Sequence, residues 1–199
     1  MRSISRLRSP LRVKSDSIGA DGTFSGYGSV ANLVDSGADV VARGAFAATL
    51  KRHAENGTRP KLLSQHCAEH PIGTWLEMRE DDYGLFCRGR LILDVEKGRE
   101  TYALMKAGEL DGLSIGYEVV SWENASPADL DTKYGIPAGY AMPSGMVRVL
   151  KQIELWEVSV VTFPMQQAAR VESVKNAVRP ALDLTPISAA LERRGRLYA

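Results

Sequence analysis

Two cysteines, Cys67 and Cys87, are too few for a disulfide framework, and the sequence has neither a secretory leader nor an apolar run of membrane length. An intracellular, reducing setting is the default that follows. An excess of charge is missing as well: 25 Lys and Arg against 24 Asp and Glu leave a formal charge of +1, so the composition gives no support for general nucleic-acid binding. No internal repeat is present. At 199 residues the chain suits one domain with tails rather than two full domains. Charge is uneven only at the start, where Arg2, Arg6, Arg8, Arg12 and Lys14 meet a single acid, Asp16. Residues 1–22 therefore read as a flexible, solvated basic arm, with docking to an acidic partner as the second reading. Residues 177–199 read as a weakly amphipathic tail, leaving 23–176 as the domain.

Within that domain the pattern is mainly β. Residues 23–33 carry Phe24, Tyr27 and Val30 among Gly26 and Gly28, which suits a strand that bulges at its glycines. Residues 35–39 have turn composition. Residues 44–56 are rich in helix formers, with Phe46 and Leu50 on one side, Gly57 at the stop, and His53 where a histidine suits the helix dipole. A short strand over 61–65 runs into His66, and a second starts at Pro71 and passes through Met78. Residues 85–93 return as the other arm of a hairpin around Glu80–Gly84. A helix over 94–106 follows, with Asp94 as N-cap and Gly108 as terminator. Residues 123–145 hold three prolines and three glycines and read as a long loop. Strand character resumes over 146–163, as one long bent strand or two strands meeting near Gln152, and in its second half simple alternation puts Leu155, Glu157, Ser159 and Val161 on one face. Pro164 ends it, and a helix or irregular turn covers 165–176.

Ser114 lies in the apolar, glycine-flanked segment Gly112-Leu113-Ser114-Ile115-Gly116-Tyr117. Alternation gives it a face shared with Gly116, which leaves space before its hydroxyl. A strand serine bonded to a neighbouring carbonyl is the competing reading. His66-Cys67-Ala68-Glu69-His70 spells His-x-x-Glu-His, an inverted zinc-peptidase pattern, but that chemistry needs a helix and Pro71 opposes one. His66, at a strand end, could instead act as base toward a strand-borne serine, with Glu157, a glutamate in an apolar strand that would need a partner if buried, fixing the imidazole.

The strings LLSQHCAEHPIG (62–73), GLFCRGRLIL (84–93), GRETYALMKAGELDGLSIGY (98–117) and ELWEVSVVTFP (154–164) resemble, in order and spacing, the prohead (procapsid maturation) protease family of tailed phages, prophages and gene transfer agents, of the HK97 type. The resemblance covers residues 24–174. It implies a serine endopeptidase of α+β, mainly β fold: a small closed or partly open β-barrel surrounded by a few helices, related to the herpesvirus assemblins. It implies Ser114 as nucleophile, His66 as base and Glu157 as the third member, with Glu154 the runner-up. Backbone N–H groups near Gly116 or after Pro164 would meet the oxyanion, with Arg170 as helper. No metal or cofactor is implied. The function implied is processing of scaffold and major capsid protein inside the assembling procapsid, in the cytoplasm of the bacterial host, together with self-cleavage. No nucleic acid or membrane takes part, and a homodimer is left open. Gln166-Gln167 departs from the family's Asn-Pro after Thr-Phe-Pro. Two alternatives remain: a catalytically silent barrel serving capsid assembly, and a zinc peptidase using His66, Glu69 and His70.

Overall fold

The computed structural model describes residues 18–136 and 146–172. The elements run β1 (Thr23–Val30), β2 (Asp39–Val41), α1 (Ala47–Glu55), β3 (Lys61–Ser64), β4 (Cys67–Glu80), β5 (Gly84–Leu91), α2 (Glu96–Ala107), β6 (Gly112–Ala125), α3 (Pro127–Tyr134), β7 (Val147–Val161) and β8 (Val171–Glu172). All eight strands join one sheet in the order β2-β7-β3-β4-β5-β1-β8, with β6 on the other edge of β7. The long strand β7 organises the sheet. Its first half pairs with β2 and its second half with β3, both parallel, while β6 runs antiparallel along its whole length. The sheet then curls until residues 169–171 reach the start of β6, where Leu113 N–H donates to the Ala169 carbonyl and Val171 N–H to the Asp111 carbonyl. The result is a mainly β, partly open barrel joined at one short seam.

Trp75, Phe24, Leu62, Ile72, Leu85, Leu113, Leu155, Val158 and Val160 fill the interior, and the Trp75 and Phe24 rings meet edge to face at 5.6 Å. Burying each large apolar side chain contributes about 1.5–3 kcal/mol. A smaller cluster, with Val40, Ala125, Leu130, Ile136, Val147 and Val149, lies at the α3 end.

Several expectations are met and others are corrected. Strand β1 bulges between Tyr27 and Ser29, at Gly28. Helix α2 ends on Gly108 at φ 81°, a left-handed conformation that glycine adopts without strain. Its N-cap, however, is Val95 with no side-chain bond, and the first turn is held instead by Arg99 Nη1 donating to the Leu93 and Asp94 carbonyls. Strand β4 begins at Cys67 rather than Pro71, because the turn before it is tight enough for pairing to start at once. The stretch 123–145 is not one loop: β6 continues to Ala125, and Ser126-Pro127-Ala128-Asp129 then starts α3 with a reciprocal capping box. Residues 137–145 lie outside the described residues, as do residues 1–17 of the arm expected over 1–22 and everything beyond 172; of the arm's described residues, Ile18 is buried in the core rather than solvated. Residues 165–170 are irregular and lead to the short β8, not to a helix. Strand β2, three residues long, overlaps the turn expected over 35–39 only at Asp39 and otherwise falls where no element was expected; its parallel contact with β7 is what makes it a strand.

Candidate active site

His66 sits in the two-residue connection between β3 and β4. Gln65 and His66 have φ of 53° and 58°, the backbone of a tight hairpin turn in which both central residues are left-handed. Neither residue is glycine or asparagine, so the turn costs on the order of 1–3 kcal/mol per residue. Neighbours hold it in place. Gln65 N–H donates to the Val160 carbonyl at 3.0 Å, Gln65 Nε2 donates to Thr162 Oγ1 at 2.9 Å, and His66 N–H donates to Ser159 Oγ at 3.0 Å. The turn thus folds back over β7 and directs the imidazole onto that strand.

There it meets Glu157. His66 Nδ1 lies 2.6 Å from Glu157 Oε1. The second carboxylate oxygen accepts a 2.6 Å bond from Ser159 Oγ. Simple alternation fails at this point. Gly116 faces Glu157 while Tyr117 faces Leu155, so Trp156 is an extra residue that bulges β7. The bulge lets Leu155, Val158 and Val160 all enter the core while Glu157 and Ser159 stay on the outer face. The bond to Glu157 raises the His66 pKa above 6.5, partly offset by desolvation of the ring.

Ser114 lies on β6 directly opposite Ser159. Cross-strand partners share a face, with Cβ atoms roughly 5 Å apart, so Ser114, Ser159, Glu157 and Gly116 occupy one outer patch of two strands, beneath the His66 turn. Ser114 is 5% exposed, yet its hydroxyl has no hydrogen-bond partner among the described residues. The competing structural reading needs such a bond. Gly116 has a different use from the one alternation suggested: a Cβ there would lie 2.1 Å from Glu157 Oε1 and 2.8 Å from its Cδ. The missing side chain makes room for the carboxylate. A cavity of about 90 Å³ lies between β1 and this part of β6, with Ser29, Ser114, Ile115 and Gln166 among its lining.

The other candidates fall elsewhere. Glu154 faces helix α1, ion-paired with Arg52 and accepting from Thr49 Oγ1 at 3.3 Å. Arg170 is ion-paired with Asp111 and donates from Nε to the Gln167 carbonyl at 2.8 Å, so it ties the seam beside Gly112. Gln166 is a staple: its amide bonds the Val30 N–H and the Val30 and Leu33 carbonyls. The His-x-x-Glu-His string spans a turn and an irregular stretch of strand β4, so the helical spacing that zinc chemistry needs is not formed, and no group of three potential metal ligands is found among the described residues. Cys87 is fully buried and its thiol is pushed up to about 12 by burial. Ser159 was the residue that sequence reasoning passed over; its only signal was a polar side chain two places from Glu157 in an otherwise apolar run.

The structure thus joins His66 to Glu157 and places Ser114, whose hydroxyl has no hydrogen-bond partner among the described residues, on the strand opposite Ser159; no hydrogen bond joins Ser114 to His66. A family profile described as caudovirus prohead serine protease matches residues 9–183, and the chain belongs to that family. It is 32% identical over 161 residues to the prohead protease of Enterobacteria phage HK97, an alignment covering 79% of this chain and 62% of the HK97 protein, so the chain spans less than two thirds of that relative. Among solved structures, the bacteriophage T4 capsid assembly protease gp21 superposes with a TM-score of 0.53 at 14% identity, over 71% of this chain and 82% of the T4 chain. The KSHV protease matches with a TM-score of 0.39 at 13% identity, over 77% of this chain and 65% of that one. In the described residues no helix is long and apolar enough to cross a membrane.

Proposed function

We propose that the chain is a serine endopeptidase that processes scaffold and major capsid protein within the assembling phage procapsid, inside the bacterial host, and that it trims itself. The observation that carries this reading is the His66–Glu157 pair over the strand that faces Ser114. In the proposed step Ser114 Oγ attacks the scissile carbonyl carbon and gives its proton to His66 Nε2. Glu157, bonded to Nδ1, fixes the tautomer and stabilises the imidazolium. The oxyanion is met by backbone N–H groups of the Gly116 segment. Collapse of the tetrahedral intermediate breaks the C–N bond, and His66 returns the proton to the leaving amine. Water then attacks the acyl-enzyme by the same route in reverse. Arg170, spent on Asp111, keeps the seam closed beside Ser114 in this reading.

The raised His66 pKa suits a base working at neutral to slightly alkaline pH. Confinement with substrate in a shell raises local concentration, so weak binding or weak self-association would suffice for activity there. The test is a fluorophosphonate probe, which labels an activated serine, combined with co-expression of a capsid precursor. The expected result is one adduct on Ser114 and processing of the precursor, both lost in Ser114→Ala and His66→Ala. Unchanged processing by Ser114→Ala would overturn the assignment, and a labelled or cleaving wild type excludes a silent assembly module.

A further inference from the structure

We infer that Ser159 is a positioning residue for this reaction: its single hydroxyl holds the His66 backbone and the Glu157 carboxylate together, setting the base over Ser114. The inference rests on the proposed roles of Ser114, His66 and Glu157. Three observations carry it. Ser159 Oγ accepts from His66 N–H at 3.0 Å and donates to Glu157 Oε2 at 2.6 Å, so both of its available roles are used within the site. Glu157 Oε1 closes the circuit on His66 Nδ1 at 2.6 Å, giving a ring of three residues from β7 and the hairpin turn. Finally, Ser159 is directly opposite Ser114 and completely buried, so it is itself shielded from substrate.

The physical need is clear from the turn. His66 occupies a left-handed conformation that only its neighbours stabilise, and a free carboxylate on a flexible two-carbon stem has no reason to present one oxygen to Nδ1. The Ser159 hydroxyl addresses both, because it fixes the backbone from which the imidazole grows and the oxygen that the imidazole must meet. Both serines on this patch are buried; the hydrogen-bonded one positions the base, and the one without a hydrogen-bond partner among the described residues reacts.

The experiment is Ser159→Ala, which deletes one oxygen. Loss of the anchor frees the carboxylate to turn away, so the His66 pKa, read by NMR among only three histidines, should fall toward 6.5 and carry the acid limb of kcat/KM with it. The kcat should drop about 10- to 100-fold with KM little changed, while fluorophosphonate labelling of Ser114 slows in proportion. If the alanine protein does not fold, Ser159→Cys fills the volume with a poor donor and is read in the same way. A folded variant with wild-type kcat and His66 pKa overturns the inference, as does lost activity with an unshifted His66 pKa. A fall to the Ser114→Ala background overturns it differently, by making Ser159 part of the chemistry. Failure of the underlying reading is seen separately, as activity that survives Ser114→Ala or His66→Ala.

Discussion

Gly116→Ala separates two uses of the same glycine. From alternation alone, the glycine opens space in front of the serine for substrate, so filling it should weaken binding. In the structure the space belongs to Glu157. The new Cβ would sit 2.1 Å from Oε1, 2.8 Å from Cδ and 2.9 Å from Cγ, all well inside the roughly 3.5 Å at which carbon contacts become favourable. The carboxylate must therefore retreat by on the order of 1 Å, and its bonds to His66 and Ser159, both 2.6 Å, cannot both survive such a move. Each bond to a charged group is worth about 1.5–3 kcal/mol, and overpacking of this kind costs about 1–3 kcal/mol of stability. Misplacing a catalytic group by that distance lowers rates by about 100-fold, approaching about 10,000-fold if the carboxylate no longer controls the imidazole. The assay is the rate of fluorophosphonate labelling at Ser114, with urea unfolding and the NMR titration of His66 as controls. The expected outcome is slow labelling with unchanged probe saturation, a His66 pKa moved down toward 6.5, and a still folded protein. A raised KM with normal kcat and normal His66 pKa would refute the argument and restore the substrate-space explanation.

Activity and stability should move in opposite directions with pH. His66 accepts a proton only when neutral, so kcat/KM should rise with a midpoint above 6.5, whereas the raised pKa makes the His66–Glu157 pair stabilise the fold fully below about 6.5 and lose that contribution as pH climbs through the folded value; the Tm gap between wild type and Glu157→Gln, measured across pH 5 to 9, should therefore shrink as pH rises. Glu157→Gln should lower kcat by about 100-fold or more, while Glu154→Gln should leave kcat unchanged and reduce only the unfolding midpoint, since Glu154 serves Arg52 and Thr49 of α1. Ser126→Ala removes the side-chain half of the α3 capping box, the bond from Asp129 N–H to Ser126 Oγ, while the backbone N–H at 126 can still donate to Asp129, and should cost about 1 kcal/mol in urea unfolding. Cys87 should resist iodoacetamide until the protein unfolds, because its thiol is fully buried and pushed up to about 12.

Much of the framework was readable along the chain because it depends on local signals. Gly108 ends α2 where a left-handed residue is needed, Gly28 marks the β1 bulge, and the apolar alternation of residues 146–163 became one strand. One misread part depended on a partner far away. The three residues of β2 are a strand only because β7 pairs with them, while the start of α2 was misread locally: Val95, not Asp94, is the N-cap, and Arg99 donates to the Leu93 and Asp94 carbonyls. The capping box at Ser126 and Asp129 was written in the sequence but obscured by the prolines and glycines that follow it.

The candidate site divides in the same way. Residue types marked Ser114, His66 and Glu157 as candidates, since a polar group in an apolar stretch needs a partner, but a structural role competed for each, and it was the resemblance of the linked motifs to the prohead proteases that implied their roles. Their mutual arrangement was beyond any local pattern. An extra residue at Trp156 shifts the register of β7, and in a strand of period two such a shift decides which side chains face the same way. Only the folded sheet could therefore bring Glu157 under the His66 turn, enlist Ser159 between them, and assign to the carboxylate the room left at Gly116.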